Sequence, residues 1–117
     1  MNDEKYQEEL DYLVQYARTS LLHFIPLRDA AENVTGGDGS EADIQAATVR
    51  LVGDMIDQGV AVGDLSPREG EEFLPWNVSK GEALARIAEG MRTREDPLDF
   101  MDICWFLAEE RSDLDGS

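Results

Sequence analysis

Met101-Asp102-Ile103-Cys104-Trp105-Phe106-Leu107-Ala108 fits two secondary structures, and the fold class turns on which of them it adopts. At helical spacing, Leu98, Met101 and Trp105 share a face. At strand spacing, Met101, Ile103, Trp105 and Leu107 alternate with their neighbours and fit equally well. Asp96-Pro97 supplies a helix start just upstream, with Asp as cap and Pro at the first helical position. The stretch is therefore read as a short helical turn over 97–102 followed by a strand over 103–108.

Moving outward, the patterns upstream are mainly helical. Lys80 opens a helix over 80–92, with Ser79 and Glu82 as a capping box and Leu84, Ile87, Ala88 and Met91 on one face. Phe73-Leu74-Pro75-Trp76 is extended and apolar, and Pro75 limits it to an edge strand or an irregular segment. Val60-Ala61-Val62 is a short strand candidate turning at Gly63-Asp64, and 66–70 reads as an exposed turn. A helix over 41–58 carries the stripe Ile44, Ala47, Thr48, Leu51, Val52, Met55 and Ile56. Ser40 and Asp43 begin it and Gly59 caps its end. The longest stripe is Tyr6, Leu10, Leu13, Val14, Ala17, Leu21 and Phe24, a helix over 3–24 that Pro26 ends or kinks. The segment 25–33 adds a short turn of helix. The loop Gly36-Gly37-Asp38-Gly39 lacks the strand and the Gly-Lys-Ser/Thr ending of a phosphate loop.

The expected architecture is α+β and mainly helical: a compact single domain with three or four helices and two or three short strands, of which a winged-helix-like arrangement is one version. The 117 residues suffice for one domain, read as 1–110 with a polar, fraying tail over 111–117. No apolar run approaches the length of a membrane-spanning helix. Met1-Asn2-Asp3-Glu4 lacks the basic-then-apolar order of a signal peptide. One cysteine excludes an intramolecular disulfide and fits a reducing compartment, so a cytoplasmic location is expected.

The charge is the strongest compositional feature. There are 26 Asp plus Glu against 10 Lys plus Arg, a net charge of -16, with 42% hydrophobic residues. Residues 1–39 carry 8 acids against 3 bases, residues 40–78 carry 8 against 2, and residues 79–117 carry 10 against 5. The acidity is spread over the domain and is not an appended tail. Direct binding to nucleic-acid phosphates or to an anionic membrane is disfavoured. The helix over 41–58 sets Arg50 against Glu41, Asp43, Asp54 and Asp57. The helix over 80–92 offers only Lys80, Arg86 and Arg92 against Glu82 and Glu89, too little for a DNA-reading helix. Three readings of the acidity compete: a surface for a basic protein partner, background acidity for solubility or a salty interior, and cation binding.

Groups that could carry chemistry are few. His23 has no Glu or Asp three or four residues before it, so a metal motif is absent; it reads as a structural histidine near a helix C-terminus. Cys104 reads as a buried, inert thiol. One Cys and one His cannot furnish the usual zinc set, and neither metal nor other cofactor is expected. Asp54 with Asp57, and Asp99 with Asp102, are spaced to share a helix face, which suits a solvated surface better than a Mg²⁺ or acid/base pair. Trp76 and Trp105 read as core aromatics or interface anchors.

The succession Leu51-Val52, Val62-Gly63-Asp64-Leu65, Phe73-Leu74-Pro75-Trp76, Glu82-Ala83-Leu84-Ala85-Arg86-Ile87 and Cys104-Trp105-Phe106 resembles a group of small, largely uncharacterised bacterial proteins over residues 44–108. That resemblance implies a small α+β domain and no established activity. In size and acidity the chain is also similar to immunity proteins of bacterial toxin systems. The expected function is a non-catalytic, acidic protein-binding domain. It would be an immunity or inhibitor protein that occludes a basic partner such as a nuclease toxin. The candidate contact residues are Asp64, Glu69, Glu71, Glu72, Trp76, Asp96, Asp99 and Asp102, set mostly in the loops between elements. The alternative is a homodimeric regulatory or adaptor domain with generic surface acidity, paired through the apolar stripe of the first helix.

Overall fold

The apolar stripe of the first segment forms one buried face of helix α1 (Asp3–Thr19), on which Tyr6, Leu10, Leu13, Val14 and Ala17 are all buried. The structure is a computed structural model and describes residues 3–36, 39–65, 73–94 and 103–108. Helices α2 (Phe24–Val34) and α3 (Glu41–Asp57) follow, then strands β1 (Val60–Leu65) and β2 (Phe73–Pro75), helix α4 (Lys80–Thr93) and strand β3 (Trp105–Ala108). This is a mixed α+β, mainly helical, single compact domain with four helices and one three-stranded antiparallel sheet among the described residues.

Local chemistry sets several boundaries. Ser40 Oγ accepts from the Asp43 N–H at 3.1 Å and Asp43 Oδ2 accepts from the Ser40 N–H at 3.3 Å, closing the expected capping box at the start of α3. Ser79 Oγ accepts from the Glu82 N–H at 3.2 Å and starts α4. Gly59, at φ 97°, turns the chain out of α3 into β1 at no steric cost.

The sheet order is β2-β1-β3. Val60, Ala61, Val62 and Gly63 face Ala108, Leu107, Phe106 and Trp105; Gly63, Asp64 and Leu65 face Pro75, Leu74 and Phe73. Alternation puts Val60, Val62, Phe106 and Ala108 into the core and leaves Ala61, Trp105 and Leu107 half-buried on the other face. The core then continues through Phe24, Leu27, Leu51, Val52, Met55, Ile87 and Met91. Phe24 and Phe106 join the helices to the sheet with ring centroids 6.2 Å apart. Each such fully buried side chain is worth about 1.5–3 kcal/mol of transfer free energy.

The structure changes five sequence expectations. The first helix stops at Thr19, not 24, because Leu22 leaves the helix to exchange two 2.9 Å backbone hydrogen bonds with Phe106. Pro26 does not end that helix; it sits in the first turn of α2, where the missing N–H costs nothing. The 25–33 segment lies inside the eleven-residue helix α2 instead of forming a single turn. His23 caps the start of α2 instead of lying at a helix C-terminus: its Nδ1 accepts from the Ile25 N–H at 3.4 Å. Gly63-Asp64 does not turn; β1 runs on through both to Leu65 because β2 pairs with this end. At the deciding stretch, the strand reading holds over Trp105–Ala108, with Ile103 in a turn before it. The turns expected over 66–70 and 97–102 and the tail over 111–117 lie outside the described residues.

Candidate functional site

Asp64 and Trp76 are the two sequence-derived contact candidates within the described residues; Glu69, Glu71, Glu72, Asp96, Asp99 and Asp102 lie outside them. Asp64 is exposed on β1 opposite Leu74, itself 47% exposed at the sheet edge. The Cys104 thiol is buried, and burial, reinforced by the Asp64 carboxylate, pushes its pKa up. A thiol so placed stays protonated and is no nucleophile at neutral pH.

The paired aspartates of α3 are separated by their partners. Tyr6 Oη donates to Asp54 Oδ2, joining α1 to α3, and the Arg50 guanidinium lies 4.4 Å from the Tyr6 ring centroid. Burial first, then this hydrogen bond to Asp54, raises the Tyr6 pKa. Asp57 instead accepts from Lys80 Nζ at 2.9 and 3.0 Å, tying α3 to α4. Arg28 makes a bidentate pair with Glu41 at 2.6 and 2.9 Å, which raises the pKa of the arginine and lowers that of the carboxyl. No group of three or more His, Cys, Asp or Glu side chains suited to a metal ion occurs among the described residues.

Two surfaces remain as candidate sites. The first is the outer face of α1, where Glu4, Glu8 and Asp11 are exposed beside Tyr12. Tyr12 is 52% exposed and meets the half-buried Tyr16 edge-on, with centroids 6.0 Å apart and planes at 85°. Gln7 Nε2 donates to Asp11 at 3.0 Å and helps hold that carboxylate in place. Sequence reasoning missed Tyr12 and Tyr16. Their signal was present: both are aromatics that fall off the apolar stripe of α1.

The second surface surrounds Trp76. Its backbone N–H donates to Val62 O at 2.8 Å, continuing the β1–β2 pairing by one residue. The side chain is half-buried, with the Arg86 guanidinium 4.9 Å from its ring centroid. The indole N–H is buried and has no acceptor among the described residues. Beside the ring opens a groove of about 330 Å³ that also touches Arg86, Glu89, Gly90, Arg94 and Ile103. The sequence places acids just before Trp76, whereas its described charged neighbours are mainly arginines.

Comparison of the chain with protein-family models, with curated proteins and with solved structures finds no match. Function is therefore argued from these surfaces. No helix among the described residues is long and apolar enough to cross a membrane.

Proposed function

We propose that the chain is a non-catalytic binding domain whose acidic exterior covers a basic protein partner, in the manner of an inhibitor or immunity protein. The observation that carries this reading is the outer face of α1. An exposed tyrosine, steadied by a second ring, sits among Glu4, Glu8 and Asp11. Tyrosine supplies desolvated contact area at low entropic cost, and surrounding carboxylates steer and orient a cationic partner. Binding would work by occlusion: carboxylates take the positions that phosphates or other anions occupy on the partner. Asp64, exposed on β1, would offer a further carboxylate to such a partner. The absence of catalysis is supported by how the scarce reactive groups are used. The one thiol is buried and protonated, and the one imidazole caps α2.

The homodimer alternative loses its proposed surface. The stripe of α1 lies inside the core, with Leu13 at 0% exposure, so a dimer would have to use another face.

The test is co-expression with the product of the adjacent reading frame, followed by association kinetics. The expected result is a complex whose on-rate falls at least about tenfold between roughly 0.02 M and 0.5 M NaCl. Glu8→Lys with Asp11→Lys should slow association, and Tyr12→Ala should speed dissociation. A chain that stays monomeric and partnerless across that salt range, or a complex indifferent to all three changes, defeats the proposal.

A further inference from the structure

Helix α4 and its cap invert the charge of the rest of the molecule. Residues 79–94 carry four bases (Lys80, Arg86, Arg92, Arg94) against two acids (Glu82, Glu89), in a chain of net charge -16. Lys80 is paired with Asp57, and Arg92 with Glu89. Arg86 and Arg94, in contrast, have no carboxylate partner among the described residues, and both line the groove beside Trp76. In so acidic a chain, two arginines without a carboxylate partner among the described residues, lining one groove, stand out against the charge balance.

Both guanidinium groups are held in place. Arg86 lies over the Trp76 ring. Arg94 folds back and donates from Nη1 to Gly90 O at 3.0 Å, its one hydrogen bond among the described residues. Gly90 lets Ile103 and Arg94 close in on α4 at the groove: a Cβ there would stand 3.1 Å from Ile103 Cγ1 and 3.3 Å from Arg94 Nη1. Glu89, the one acid lining the groove among the described residues, is ion-paired with Arg92. The volume of about 330 Å³ is at the small end of the range for organic ligands.

We propose that this groove binds a carboxylate with a compact apolar body, the carboxylate meeting Arg86 and Arg94 and the body lying against Trp76 and Ile103. The fork geometry of guanidinium suits a planar carboxylate, and prior fixation of both arginines lowers the ordering cost of binding. The proposal is independent of the acidic-surface reading, since its ligand has the opposite charge and it rests on Arg86 and Arg94, which that reading does not use.

The experiment follows the Trp76 indole N–H resonance of the isolated full chain by NMR, assigned by comparison with Trp105→Phe. The probes are sodium phenylacetate, the peptide acetyl-Gly-Gly-Phe with a free C-terminus, the amides of both, and sodium sulfate at matched ionic strength. A saturable shift with phenylacetate assigns a free small acid. A shift with the peptide acid alone assigns a peptide C-terminus. Arg86→Gln with Arg94→Gln should weaken either response about tenfold or more while the circular dichroism spectrum stays unchanged. Arg18→Gln, far along the chain on α1, serves as the charge control and should leave the response intact. No saturable shift with either acid, equal shifts with the amides or with sulfate, or full binding by the double glutamine variant overturns the proposal.

Discussion

Gly63 is the residue at which one atom decides the sheet. A Cβ there would stand 2.2 Å from Leu74 O and 2.7 Å from Pro75 Cα, both backbone atoms of β2. Gly63→Ala must therefore push β2 away from β1, and an unfolding titration should show a loss of about 1–3 kcal/mol. Trp76→Phe should be milder. It removes a buried N–H that has no acceptor among the described residues, which offsets the ring packing it gives up, so an unfolding titration should show a change within about 1 kcal/mol. Cys104 and Tyr6 contribute to the alkaline limb. Both have folded-state pKa values raised above their unfolded ones, so the unfolded chain loses these protons first. Their contribution is whole below the unfolded values and is lost as pH climbs past about 8.5 for the thiol and about 10 for the phenol. Urea titrations across that range should show falling stability, and Tyr6→Phe should flatten the part above about pH 10. The sequence marked Trp76 and Cys104 as notable but could not reveal the Tyr6–Asp54 link. Forty-eight positions separate those two residues, and no local pattern connects them.

Among elements, α3 and α4 were legible because their starts are local chemistry. A serine three residues before an acid satisfies orphan N–H groups within one turn, whatever the rest of the chain does. Ser40→Ala and Ser79→Ala should each cost about 1 kcal/mol, read as a lowered denaturation midpoint. The break between α1 and α2 was not legible. Leu21, Leu22 and Phe24 continue the helical stripe well enough, and only the pairing of Leu22 with Phe106 across the molecule stops it. Leu22→Ala should cost about 2–5 kcal/mol, since its side chain is fully buried where helix, turn and sheet meet. The same nonlocal pairing explains β1. Gly63-Asp64 has turn composition, yet it is held extended by β2 on one side and, at Gly63, by β3 on the other.

For the whole molecule, charge is the dominant variable. A net charge of -16 on one small domain opposes compaction, and salt screens that repulsion. The thermal midpoint should rise with NaCl between roughly 0.02 M and 0.5 M. Unfolding at the low end would identify background acidity of the salt-adapted kind as the reading of the surface, whereas a folded chain at low salt leaves the acids free to serve a partner. The candidate sites were only partly legible at this scale. Composition announced an acidic exterior, but the exposed Tyr12 and the arginines gathered beside Trp76 depend on which faces the core consumed.

The amino-acid order alone determined the apolar faces of α1, α3 and α4, the caps of the latter two, the mixed helical and strand composition, and the net charge. Each of these is set by residues within a turn or two of one another, or by a simple count. The end of α1, the length of β1, the partners of the strand at Trp105–Ala108 and the gathering of Arg86, Arg94 and Trp76 were decided only in three dimensions. Those features rest on hydrogen bonds and packing between segments distant in sequence, and short-range periodicity carries no record of which distant backbone will satisfy a given N–H or C=O.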